Sequence, residues 1–128
     1  MDDAALLEVL AAAADAVGAA LLGVGDRGEV VADPTQVLST QYALDLAADA
    51  AAVAVLVGAG LGVLSEESGL HHANRDVVVV LDPVDGSTNA SRGIPWYATS
   101  LAAVDADGLR AALVADQASG ARFEAVRD

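Results

Sequence analysis

The chain contains no cysteine, which excludes disulfide and thiol chemistry outright. It has no lysine either; its basic residues are Arg27, Arg75, Arg92, Arg110, Arg122 and Arg127. Set against 19 acidic residues, they leave a net charge of -13. Nothing here could neutralise a run of phosphates, so a nucleic-acid partner is not expected. Aromatic residues are scarce, with one Trp, two Tyr and one Phe, so the core falls to Val, Leu and Ala. No uninterrupted apolar run approaches the roughly 20 residues of a membrane span. The N-terminus, MDDAALLEVL, starts acidic where a secretory signal starts basic. A cytoplasmic protein with no membrane partner is the expectation, and 128 residues suit one domain with a modest core.

What is present begins with helix. Residues 4 to 22 are rich in Ala and Leu, and Leu6, Leu10, Ala13, Val17 and Leu21 recur near helical spacing. GVGDRGEVVADPTQ, residues 23 to 36, reads as a loop. A second helix is predicted from about Tyr42 to Val57, with Ser39 or Thr40 as its cap and Gly58 to Gly60 as its end. Val63 and Leu64 read as a short strand entering Ser-Glu-Glu-Ser, and GLHHANRD as a polar connection. Val77 to Leu81 form a β-branched run of the kind found in strands covered on both faces. Three more strands are predicted at Tyr97 to Val104, Leu109 to Ala115 and Arg122 to Val126, the first two joined by an Asp105 to Gly108 hairpin turn. The fold class is therefore α+β, two helices followed by a mostly antiparallel sheet.

The chemistry concentrates in LDPVDGSTN, residues 81 to 89. Pro83 holds Asp82 extended, and Gly86 lets the chain turn sharply behind Asp85. Two carboxylates and the carbonyl of Val84 can then converge on one point, a donor set of oxygens that suits Mg²⁺. Asp, Pro and Gly are equally the vocabulary of plain turns, so this stretch alone leaves both readings open. A second acidic cluster, Glu66 and Glu67, sits at the end of another apolar strand. If the strands are neighbours, the clusters meet. Carboxylates about 4 Å apart repel by about 4 kcal/mol at an effective dielectric of about 20, so a cation would explain their collection. Ser87 to Arg92 can form a short helix whose first N–H groups favour an anion.

LDPVDGSTN resembles the signature of the inositol monophosphatase family, Asp-Pro-(Ile/Leu/Val)-Asp-Gly-(Thr/Ser)-x-Asn. LSEESG is similar to that family's Gly-Glu-Glu-(Ser/Thr) segment, with Ser65 in place of the usual Gly. GIPWYATSLAAV is similar to its Phe-Pro-x-x-x-x-Ser-(Ile/Leu) strand. The resemblance implies the layered α/β sandwich of the inositol monophosphatase and fructose-1,6-bisphosphatase type. It implies Glu66, Asp82 and Asp85 as metal ligands, with the Val84 carbonyl, and Glu67 as an acid that helps hold the attacking water. Ser87 stands in the place of a Thr that contacts metal and phosphate. Gly86, Ser87 and Thr88 would bind the phosphate. Asp49 most resembles a further acid on the second helix, with Asp45 competing.

The activity so implied is Mg²⁺-dependent hydrolysis of a small phosphate monoester such as an inositol or sugar phosphate, catalysed through Glu66, Glu67, Asp82, Asp85 and Ser87, in a protein that can pair as a homodimer. The resemblance covers the family's first half. Residues 1 to 128 are expected to be the N-terminal half of such a domain, with the C-terminal half absent, since nothing after Val126 resembles the later Trp-Asp-x-Ala-(Ala/Gly) motif. A non-catalytic metal-binding or dimerising relative is the alternative. His71 and His72 lack partners for a zinc site and read as surface-loop residues. Trp96 and Tyr97 read as packing residues.

Overall fold

The computed structural model describes the backbone of residues 1–24 and 34–128 and the side chains of residues 1–24 and 42–128. The first helix, α1 (Asp3–Leu22), is capped by Asp2, whose carboxylate accepts from the amide of Ala5 at 2.7 Å. Leu6, Leu10, Ala13, Ala14, Val17 and Leu21 form its buried stripe. Length and composition alone make this helix apolar enough to cross a membrane, contrary to the expectation from uninterrupted runs. Alanine supplies the hydropathy on both sides of Glu8 and Asp15. The buried stripe nevertheless faces protein: α1 lies along the second helix and over the fifth strand.

That second helix, α2 (Pro34–Gly58), starts well before the expected Tyr42. Pro34 occupies its first position, where a missing N–H costs nothing and the fixed φ is already helical. Ser39 and Thr40 therefore lie inside the helix and do not cap it. The loop expected over residues 23–36 has residues 25–33 outside the described residues, and its last three are helical. At the other end, Arg75 Nη1 donates to the carbonyls of Val57 and Leu61, each at 2.8 Å, which satisfies acceptors where the helix runs out.

Six strands form one sheet: β1 (Gly62–Ser65), β2 (Gly69–His71), β3 (Val78–Asp85), β4 (Ala98–Asp105), β5 (Gly108–Asp116) and β6 (Arg122–Val126). Their order is β2-β1-β3-β4-β5-β6. β1 and β3 run parallel, and the remaining pairings are antiparallel. The β4–β5 hairpin turns at Asp105 to Gly108 as the sequence predicts, with the amide of Asp107 donating to the Asp105 carboxylate at 2.9 Å. Part of the expected polar connection is instead strand: Gly69 to His71 fold back on β1, Leu64 opposite Leu70. Three residues of mixed polarity give too little alternation to announce a strand.

Both long helices cover the same face. Leu6, Val17, Leu44 and Leu56 share one core with Val63, Val79, Leu81, Leu101 and Leu113. Among the described residues the opposite face is more open, against the expectation that β3 is covered on both sides: Val79 and Leu81 are buried, whereas Val80 is 43% exposed. Nor does the chain leave the strand at Asp82. β3 continues to Asp85 through a bulge, where its register with β4 shifts between Asp82 and Asp85, and Pro83 is accommodated there. The short helix α3 (Ser87–Ser91) follows at once.

Candidate metal centre

Parallel pairing of β1 and β3 sets the geometry. Ser65 lies opposite Leu81, and the amide of Glu66 donates to the Leu81 carbonyl at 3.0 Å. Glu66, just past β1, and Asp82, within β3, are each the next residue along and are thereby brought side by side. Burial, reinforced by hydrogen bonding with Glu66 and by the charges of Glu66, Asp85 and Glu67, pushes the Asp82 carboxyl up to about 7. Asp82 Oδ1 is buried without a hydrogen-bond partner, a state that costs about 1–3 kcal/mol for an acceptor.

The bulge places the next acid. Val84 turns its side chain into the core and anchors the segment, while Asp85 projects outward. Gly86 takes φ 94° as the cap of α3, and a Cβ there would stand 2.8 Å from the carbonyl oxygen of Trp96. Only glycine fits this turn without strain. Ser87 opens α3, and Thr88 follows with its carbonyl accepting from the Ser91 hydroxyl at 2.8 Å.

From the helix layer comes Asp45, whose carboxylate is hydrogen-bonded by Ser87. Burial, then the charges of Glu67 and Glu66, push it up to about 6 against the lowering effect of that bond. Glu67 is also raised, by burial first and then by Glu66 and Asp49. Asp49 lies one helical turn beyond Asp45, buried, and accepts a hydrogen bond from the Ser65 hydroxyl. Glu66, Glu67, Asp82, Asp85, Asp45 and Ser87 thus come together. The Asp45–Ser87 and Asp49–Ser65 pairings were not legible in the sequence.

The donor chemistry of these residues suits a hard divalent cation. The donors are all oxygen, the acids raise one another's proton affinity, and one buried carboxylate oxygen lacks a partner. Among the described residues, no three His, Asp or Glu side chains form a group that could hold a metal ion as they stand. His71 lies on β2, where its Nε2 is 2.7 Å from the Ser68 hydroxyl, and His72 is exposed. Next to Asp85 and Gly86 opens a cavity of about 290 Å³, walled by Asn89, Trp96, Tyr97 and Phe123 among others. Trp96 is 78% exposed there, so it is not the packing residue expected, whereas Tyr97 does pack against the core.

The family model described as the inositol monophosphatase family matches residues 2–128. A fructose-1,6-bisphosphatase/inositol-1-monophosphatase of Methanothermobacter thermautotrophicus is 36% identical over 92 residues, covering 66% of this chain and 32% of that protein. One of the same name from Archaeoglobus fulgidus is 44% identical over 68 residues, 53% of this chain and 27% of that protein. The crystal structure of extragenic suppressor protein suhB from Bartonella henselae superposes with TM-score 0.79 at 27% identity, covering 96% of this chain and 48% of that one. The match thus spans between a quarter and a third of the length of these curated relatives and about half of that solved structure.

Proposed function

Since the chain belongs to the inositol monophosphatase family, we propose that its acidic strand ends form the metal-binding and water-activating part of a Mg²⁺-dependent phosphate-monoester hydrolase. The observation that carries this reading is Asp82, half-buried beside Glu66, with its Oδ1 buried and unpartnered. Glu66, Asp82 and Asp85, with the Val84 carbonyl, would hold the cation. When bound, it supplies charge neutralisation for the phosphoryl oxygens and lowers the pKa of a water.

The chain's own groups do the rest. Gly86, Ser87 and Thr88, where the backbone turns from β3 into α3, present N–H groups to the phosphate oxygens. Asp45 and Glu67 have raised proton affinity and take the proton of the attacking water. Ser87, bonded to Asp45, orients that water. The water oxygen forms a bond to phosphorus as the ester P–O bond breaks; the departing alkoxide takes a proton from solvent, and the acid that took the water's proton gives it back to solvent. Between the two helix acids, Asp45 holds the site position ahead of Asp49, because its partner is Ser87. The small substrate is a phosphorylated sugar or inositol, the class named for the archaeal relatives, with its organic part toward the cavity beside Asp85.

Calorimetric titration of the chain with Mg²⁺, alongside Asp82→Asn, tests the metal. Saturable heat in the parent and its loss in the variant are expected; identical isotherms would remove the site. Phosphate release from inositol 1-phosphate and fructose 1,6-bisphosphate, with Mg²⁺ and with chelator, tests the reaction.

A further inference from the structure

Ser65 and Asp49 stand outside the acids that face one another, yet both are almost wholly buried, at 3% and 7% exposure. The Ser65 hydroxyl donates its single proton to Asp49 Oδ1. Its oxygen also accepts from the amides of Glu67, at 3.1 Å, and Ser68, at 3.5 Å. One donor and two acceptor sites are all that a serine hydroxyl has, and all are engaged. The partners come from different layers: Asp49 from α2, the two amides from the turn that leaves β1. The Glu66 amide ties the same turn to β3.

We propose that Asp49 and Ser65 are positioning residues, a clamp that fixes the turn bearing Glu66 and Glu67 against α2 and so sets both carboxylates relative to Asp82. Asp49 then acts through Ser65 and is not a ligand. This rests on the metal-site reading above. Without the serine hydroxyl, the Glu67 and Ser68 amides lose their acceptor, and nothing then links the turn to α2 through Ser65; its tie to Leu81 and the β1–β2 pairing remain. Carboxylates on such a turn sample more directions, and outer partners of this kind are worth about 10- to 100-fold in metal affinity.

The test compares the parent chain with Ser65→Ala, Asp49→Asn and Asp49→Ala, by Mg²⁺ calorimetry and by amide hydrogen exchange in chelator. Ser65→Ala and Asp49→Ala are expected to weaken Mg²⁺ binding about tenfold and to speed exchange at Glu67 and Ser68, leaving β4 and β5 protected. Asp49→Asn keeps a carbonyl that accepts the hydroxyl, so it should retain near-parental affinity and exchange. Loss of binding in Asp49→Asn equal to that in Asp82→Asn would make Asp49 a ligand and overturn the clamp. Unchanged affinity in Ser65→Ala would also overturn it. If the parent takes up no Mg²⁺, the metal-site reading fails by itself, and the clamp stands or falls on whether Ser65→Ala speeds exchange at those two amides.

Discussion

The hydroxyl of Thr99, wholly buried, donates to the carbonyl of Pro83 at 2.8 Å and accepts from Gln117 Nε2 at 2.9 Å. It holds β4 to the bulge that aims Asp85. Gln117 Nε2 also donates to the Ala14 carbonyl of α1 at 2.9 Å. Thr99→Val keeps the shape and strands a buried acceptor and a donor. Denaturant unfolding is expected to show a loss of about 1–3 kcal/mol.

The acids predict a pH dependence whose sign is opposite to that of a salt-bridged carboxylate. Asp82 and Asp45 hold protons in the folded chain up to about 7 and about 6, against an ordinary value of 3.8. Between those limits the folded state binds more protons than the unfolded one, so stability in chelator falls as pH rises from about 4 to about 7. Asp82→Asn should flatten that slope. Mg²⁺ needs the ionised carboxylates, so its stabilisation should grow over the same window, reaching about 2.7 kcal/mol at a hundredfold excess over Kd. Thermal melts across pH, with chelator and with Mg²⁺, check both.

Ser87→Ala removes the hydrogen bond that lowers the Asp45 carboxyl. Its titration, followed by carboxyl carbon shifts, should move further upward, and phosphate release should drop with little change in global stability.

Gly86→Ala places a Cβ 2.8 Å from the Trp96 carbonyl oxygen at φ 94°. A non-glycine residue in the left-handed region costs about 1–3 kcal/mol. Unfolding should register that loss, and Mg²⁺ affinity should fall with it, because the same turn carries Asp85.

The legible parts of the fold were those where periodicity is sustained. α1 announces itself through a stripe from Leu6 to Leu21, and β4, β5 and β6 through alternation broken by Gly and Asp. β2 is too short for any period. Val80 looks like its buried neighbours because the residue type does not say which sheet face the helices cover. At the site, Glu66 meeting Asp82 was conditional on β1 and β3 being neighbours, which only the parallel register decides. The resemblance puts Asp49 ahead of Asp45, although a spacing of one helical turn places both on the same side of α2. Their partners, Ser87 and Ser65, separate them.

Parallel pairing of β1 with β3 has a kinetic corollary. The strands are joined through β2, so their ends come abreast only when the chain has recrossed to lay β3 parallel to β1. No excised peptide from either strand carries the full set of oxygens, since Asp45 arrives from a third element. An ion that reports on this spot, a luminescent lanthanide for instance, would therefore light up late in refolding and time the closing of the sheet.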